Sequence, residues 1–353
     1  MFENEKKINN LFLYWLYSSL ILVFSIIIVG GLTRLTNSGL SITEWELFKG
    51  ILPPLDQKTW IDYFNHYKKI PQFNLLNPTM DLNEFKVIFY WEYFHRILAR
   101  LIGLFFLIPL LFFFISKKVK KNYLDTCFVI FFLILLQGVM GWYMVMSGLV
   151  DDVTVSHYRL SVHLTLAFII ISAIFWLIKN FKNKKEVVFF SYNKKKIPFL
   201  ILIFIIFIQI IFGAFVSGLD AGQIYQTWPL MGDNFIPDDV VIDEIYNAID
   251  FNNQSLVQFY HRNLAYFIIL YTCYLSFYIY KNKILKLFLP LKIIFIALLL
   301  QISLGIFTLI SNLNILLASA HQISSVILLI CSINLYYYRA FDKQPLLNEI
   351  FPP

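Results

Sequence analysis

A Glu and a His three residues apart, followed at once by an Arg, open a long apolar run: Trp91-Glu92-Tyr93-Phe94-His95-Arg96-Ile97-Leu98-Ala99-Arg100-Leu101-Ile102-Gly103. Ionisable groups inside a membrane-crossing segment cost about 2.5–3.5 kcal/mol each on insertion scales and normally mark a function. Glu92 and His95 share a helix face, and Ala99 and Gly103 continue that face one and two turns on. Small residues beneath a His let a flat group, or another helix, approach closely. The second half repeats the pattern as Val257-Gln258-Phe259-Tyr260-His261-Arg262-Asn263-Leu264-Ala265, so His-Arg-x-Leu-Ala occurs twice. Ser161-Val162-His163 is likewise echoed by Ser319-Ala320-His321, and Gln137-x3-Gly141 by Gln301-x3-Gly305.

A single buried histidine is most often a hydrogen-bonding residue between helices. Four of them, His95, His163, His261 and His321, each one to three turns into alternate helices, point to something else. Two imidazoles facing each other across a four-helix bundle can hold a flat metal macrocycle as axial ligands of heme iron. A zinc or di-metal centre wants three or more N, S or O ligands, and Glu92 is the only further ligand nearby. Arg96 and Arg262 point about 100° round from their histidines, toward heme propionates or helix neighbours. His66 reads as solvated in the first outer loop. His157, six residues before His163 and on a different face, is a candidate only at the rim.

The elements that must position these residues are membrane helices. Of the 353 residues, 59% are hydrophobic and 14% charged, with a mean hydropathy of +0.67; an ordinary soluble domain is excluded. Eight stretches can span: about 11–31, 86–115, 123–146, 159–180, 197–217, 255–280, 287–310 and 315–338. The first reads as a retained helix rather than a cleaved signal. Cys127, Cys273 and Cys331 fall inside apolar runs and form no disulfide or metal pattern. The net charge of +7 follows topology, and no nucleic-acid motif is present. Lysine-rich turns (Lys117 to Lys121, Lys182 to Lys196, Lys281 to Lys286) alternate with connections rich in acids, including Asp151, Asp152, Asp220, Asp233, Asp238, Asp239, Asp243, Glu244 and Asp250. By the positive-inside rule the lysine turns and both termini are cytoplasmic, and the long connections 32–85 and 218–254 face outward. The expected fold is an all-α polytopic membrane protein, eight transmembrane helices in two tandem four-helix bundles related by internal duplication: residues 1–190 and 191–353.

The same residues carry a family resemblance. Gly30-Gly31-Leu32-Thr33-Arg34-Leu35-Thr36-Asn37-Ser38-Gly39-Leu40-Ser41, Leu52-Pro53-Pro54-Leu55, Trp91 to Arg96, Tyr158-Arg159-Leu160 leading to His163, Gly218-Leu219-Asp220-Ala221-Gly222 and Thr227-Trp228-Pro229-Leu230-Met231 resemble heme A synthases of the mitochondrial and alphaproteobacterial type along essentially the whole chain. The resemblance implies oxidation of the C8 methyl of heme O to a formyl group through a hydroxymethyl intermediate, in heme A biosynthesis for cytochrome oxidase. It implies that His95 and His163 hold the iron of the substrate heme O, that His261 and His321 hold a resident heme b, and that Glu92 is the catalytic acid. It further implies a bacterial inner membrane location, contact with a heme O synthase and cytochrome oxidase assembly factors, an unidentified electron acceptor, and room for a homo-oligomer. Some bacterial relatives carry a cysteine pair in the first outer loop; residues 32–85 here contain no cysteine, so electrons take no thiol route through it. Two other readings stand beside this one: a diheme membrane cytochrome b linked to quinol, and a heme transporter or chaperone.

Overall fold

The computed structural model describes residues 2–44, 49–149, 153–190, 193–240 and 247–341. Asp151, Asp152, Asp243 and Glu244 of the charge pattern, Ser191 where the second half is set to begin, and both chain ends lie outside the described residues. The regular elements among those described are helices: α1 (Phe2–Leu35), α2 (Gln57–Tyr67), α3 (Pro71–Leu76), α4 (Leu82–Ser116), α5 (Lys121–Gly148), α6 (His157–Lys182), α7 (Ile197–Gly218), α8 (Gln254–Lys281), α9 (Phe288–Ile310) and α10 (Ile315–Phe341). All but α2 and α3 are long and apolar enough to cross a membrane, which makes eight.

Helix boundaries extend past the expected spans for local reasons. Asp81 accepts from Asn83 N and Glu84 N while Glu84 reaches back to Asp81 N, a capping box that starts α4 at Leu82. The emergent turns of α4 carry Phe85 and Phe89, which pack under α2 and α3 against Trp60, Phe64, Tyr67, Leu40 and Ile42. Those two short helices, absent from the hydropathy reading, are set by Asp56 capping Thr59 N and by Pro71 at the first position of α3.

In the bundle, α1, α4, α5 and α6 pack in one closed ring and α7, α8, α9 and α10 in another; α1 with α10, α6 with α7, and α6 with α10 join them. Gly31 lets α10 approach so closely that Gln322 lies against it, its Nε2 donating to Ile27 O (3.3 Å). Arg34, at the end of α1, donates to Asp220 Oδ1 (3.0 Å) and to Ser217 O across the same joint.

Interior packing differs at the two ends. The lysine-rich end is filled by aromatic rings: Phe12 on Phe113 (5.0 Å, edge-on), Phe12 on Phe181 (4.7 Å), Trp15 on Phe106 (4.8 Å) and Trp176 on Phe189 (4.8 Å). Aromatic pairs contribute about 0.5–1.5 kcal/mol beyond area, and in lipid such close packing, not transfer from water, holds helices together. The opposite end is hollow.

Candidate functional site

The hollow is a cavity of about 1430 Å³ lined from both rings of helices, more than the roughly 300–1,000 Å³ of a single small-molecule pocket. Glu92, His95 and Arg96 of α4, His163 of α6, His261 and Arg262 of α8, and His321 of α10 all border it. The structure therefore brings together all seven residues picked from sequence. His157 stays outside the lining: its ring packs on Tyr158 (4.1 Å) and Phe215 (5.3 Å), with its Cβ against Gly218. His66 pairs with Glu44 at the surface (3.2 Å).

Each histidine ring rests on a glycine of a neighbouring span. A Cβ on Gly30 would stand 3.0 Å from His95 Cε1; the same contact is 3.1 Å for Gly141 on His163, 3.1 Å for Gly213 on His261 and 2.8 Å for Gly305 on His321. These glycines lie five to seven residues from the C-terminal ends of α1, α5, α7 and α9, so the four rings occupy one level. The residue four past each histidine, one turn further into the membrane, is small and borders the cavity: Ala99, Ala167, Ala265 and Ser325. Glycine behind and a small residue below leave a flat space beside each ring.

Glutamine holds three of the four rings. Gln137 Nε2 donates to His163 O (3.1 Å) and meets its Nε2 (3.2 Å); Gln209 Nε2 donates to His261 O (3.0 Å) and meets its Nδ1 (3.2 Å). His321 Nδ1 donates to Gln301 O (3.0 Å), which fixes the ring as a backbone carbonyl does behind a ligating imidazole, and the Gln301 amide Nε2 faces the other ring nitrogen, Nε2, at 3.4 Å. Each Gln lies one turn before the ring-bearing glycine of its helix. In α1 that place is Ile26, and His95 Nδ1 is buried without a partner, as is His163 Nδ1.

A bis-histidine heme fits these residues. The His261 and His321 rings lie 6.4 Å apart, centre to centre, at 79°. Imidazole nitrogens bind first-row metals at about 2.0–2.1 Å, so two rings sharing one ion stand roughly 6 Å apart. Among the described residues, no three His, Cys, Asp or Glu side chains converge on a metal position.

The outer rim is built from the carboxylate, the amide and the two arginines. Glu92, 3% exposed, accepts from Ser41 Oγ (2.7 Å) and Ile42 N (2.8 Å) on Oε2 and from Arg96 (2.6 Å) on Oε1. Arg96 also donates to Ile42 O (3.0 Å). In the other half Gln258 Nε2 and Arg262 both donate to Tyr225 O (2.9 Å each), and Arg262 to Leu230 O (3.2 Å). The arginine after each histidine thus holds a loop carbonyl three residues beyond Gly39 or Gly222. Sequence reasoning saw Gln137, Gln301 and Ala265 only as repeat markers and Gly30 only within a family motif, and it passed over Gln209, Gly213 and the small residues of α6 and α10. The signal was available: Gln-x3-Gly recurs in α5, α7 and α9, and a small residue recurs four places after every cavity histidine.

The sequence matches the COX15-CtaA family, described as cytochrome oxidase assembly protein, over residues 13–333. It is similar to the heme A synthase of Pelagibacter ubique, 47% identical over 335 residues, covering 93% of this chain and 96% of that one. The heme A synthases of Nitrosomonas eutropha (41% over 322 residues, 89% of each chain) and Flavobacterium psychrophilum (39% over 330 residues, 92% of this chain and 96% of that one) are similar along the same length.

Proposed function

The chain belongs to the COX15-CtaA family of cytochrome oxidase assembly proteins, and from that premise and the two histidine pairs around one cavity we propose that it converts heme O to heme A. It is a membrane oxidoreductase whose substrate is heme O. The C8 methyl takes an oxygen atom from water to become hydroxymethyl and is then oxidised to formyl; each step releases two protons and passes two electrons to an external acceptor. The observation that carries this reading is the placement of four histidines at one level on one cavity large enough for two macrocycles.

The halves divide the work. Residues 1–190 take the substrate between His95 and His163, and residues 191–353 keep a heme b on His261 and His321. Heme b, when bound, supplies one-electron redox chemistry. Arg96 and Arg262, already on the cavity wall, offer charge to propionates at the rim. Of the seven residues named, Glu92 is the one carboxylate, and it takes the proton-handling role that Gln258 cannot. The matched Arg96–Ile42 and Arg262–Tyr225 contacts, the histidine–glycine packing and the two helix rings support descent of both halves from one duplicated unit. The lysine distribution supports cytoplasmic termini in a bacterial inner membrane, with the cavity toward the outer face. Heme O synthase and cytochrome oxidase assembly factors are the expected neighbours, since substrate and product are both membrane-borne.

A diheme cytochrome b or a heme carrier is not favoured. A transmembrane electron carrier sets its hemes at different depths, and a carrier of heme has no use for a second, permanently ligated one. Hemes extracted from purified protein after expression with heme O supply should carry hydroxymethyl or formyl side chains. Recovery of unmodified hemes alone would move the protein to the rival classes. Replacing His261 or His321 by Ala should abolish a low-spin b spectrum while the protein still inserts; an unchanged spectrum in both variants would reject the heme b assignment.

A further inference from the structure

One wall of the cavity carries large apolar side chains that remain exposed. On α4 and α5 that wall is formed by Leu101, Leu104, Leu135, Val139 and Trp142, each bordering the cavity and each 40–56% exposed. The matching wall between α8 and α9, with Tyr266, Ile302, Ile306 and Leu309, has no exposed large apolar side chain on the cavity among the described residues.

Two glycines frame the gap. Gly103 stands eight residues after His95, where the same count from His163, His261 and His321 reaches Ile171, Ile269 and Leu329. Gly138 follows Gln137, where Ile210 and Ile302 follow Gln209 and Gln301. A Cβ on Gly103 or Gly138 meets nothing within 4 Å, while Ile269 packs on the core and Ile302 borders the cavity. The N-terminal half therefore lacks, on two neighbouring helices, the branched side chains that the other half carries at the matching places. In that same half His95 and His163 each keep a buried ring nitrogen without a partner.

We propose that the gap between α4 and α5 is a lateral portal that admits heme O from the bilayer and lodges its isoprenoid chain during oxidation. Heme O differs from protoheme chiefly by a long farnesyl-derived chain, which is unfavourable to expose to water. The exposed walls of Leu, Val and Trp lead such a chain from the macrocycle into lipid with no aqueous surface on the way. The same geometry separates the two sites: the C-terminal half, with Ile302 on the cavity where the other half has Gly138 and Ile269 on the core where it has Gly103, accommodates a macrocycle without a long tail. The inference rests on the assignment of substrate to the N-terminal half and names how that half selects it.

The test fills the gap with the residues of the closed half. Gly103→Ile and Gly138→Ile, singly and combined, are purified and titrated separately with heme O and with protoheme. The combined variant should keep the C-terminal low-spin spectrum, which reports correct folding, and bind protoheme in the N-terminal half within about twofold of wild type. Heme O binding and heme A formation should fall at least tenfold. Wild-type heme O affinity with wild-type heme A output would overturn the portal, and so would equal loss of both hemes, because the glycines would then shape the macrocycle site and not a passage for its tail. A heme O analogue with a diazirine at the chain end offers a second measurement on unmutated protein. Labelling of Leu104, Leu135 or Val139 is expected, and labelling confined to α8 and α9 would overturn the proposal. His95→Ala distinguishes the two levels of inference: heme A still made by that variant defeats the assignment of the half, whereas heme A lost there but normal in the glycine variants defeats only the portal.

Discussion

Glu92 faces three donors, and its amide counterpart Gln258 faces a carbonyl; at the scale of single residues this is where the two halves part. Ser41 Oγ, Ile42 N and Arg96 occupy both carboxylate oxygens, so Gln at position 92 would aim an amide NH2 at a donor and leave Arg96 without its anion. The Glu92→Gln variant is expected to bind both hemes yet form heme A at least tenfold more slowly, about 1.4 kcal/mol of barrier. The shape of the pH profile separates two roles. A carboxylate that takes a proton gives the wild type an acid limb that the Gln variant lacks, while one that only fastens Ile42 lowers the rate evenly across pH. Near-normal heme A output from Glu92→Gln would make the residue a helix-to-loop fastener and nothing more.

At the scale of elements, each outer loop is tied to the helix that carries the HisArg pair. The second loop has an additional clip. Asp239 accepts from Tyr225 Oη and from Ser255 Oγ (2.6 Å each), joining the loop to the first turn of α8. Burial pushes its carboxyl up, but the hydrogen bonds from Ser255 and Tyr225 outweigh this and hold it below its ordinary value of 3.8. A lowered folded pKa contributes stability that is present above the unfolded value and is lost as pH falls through the folded one. Asp239→Ala should therefore speed proteolysis within residues 220–240 several-fold at pH 7, with the difference from wild type disappearing below about pH 3.8. Equal cleavage rates at pH 7 would show that the arginine contacts alone retain the loop.

Across the whole molecule, a solid aromatic end and a hollow end face opposite sides of the membrane. A reporter fused after Lys121 or Lys185 should stay in the cytoplasm, and one placed within 235–250 should be exported. Export of the Lys185 fusion would put the cavity on the inner face and reverse the proposed side of heme oxidation. The orientation also bears on the joint between rings: Arg34 and Asp220 span it at the hollow end and border the cavity, so the two histidine pairs face one shared cavity and not two separate pockets.

The sequence by itself determined the number of membrane helices and pointed to seven residues, four histidines among them, that the fold sets around one cavity. Hydropathy must match bilayer thickness, ionisable groups in lipid need a task, and helix rise is constant, so each of these is a local consequence of residue type and spacing. Tertiary structure alone decided what those residues touch. That Arg96 and Glu92 hold Ile42, that Gln209 serves His261 and that α2 and α3 cap α4 depend on which loop folds back over which helix, and no local pattern encodes that return. The glycine pair of α4 and α5 belongs to this second kind. Gly103 already continues the Glu92–His95 face in sequence, but that it shares one cavity wall with Gly138, at places where the other half carries Ile269 and Ile302, follows only from how α4 and α5 pack.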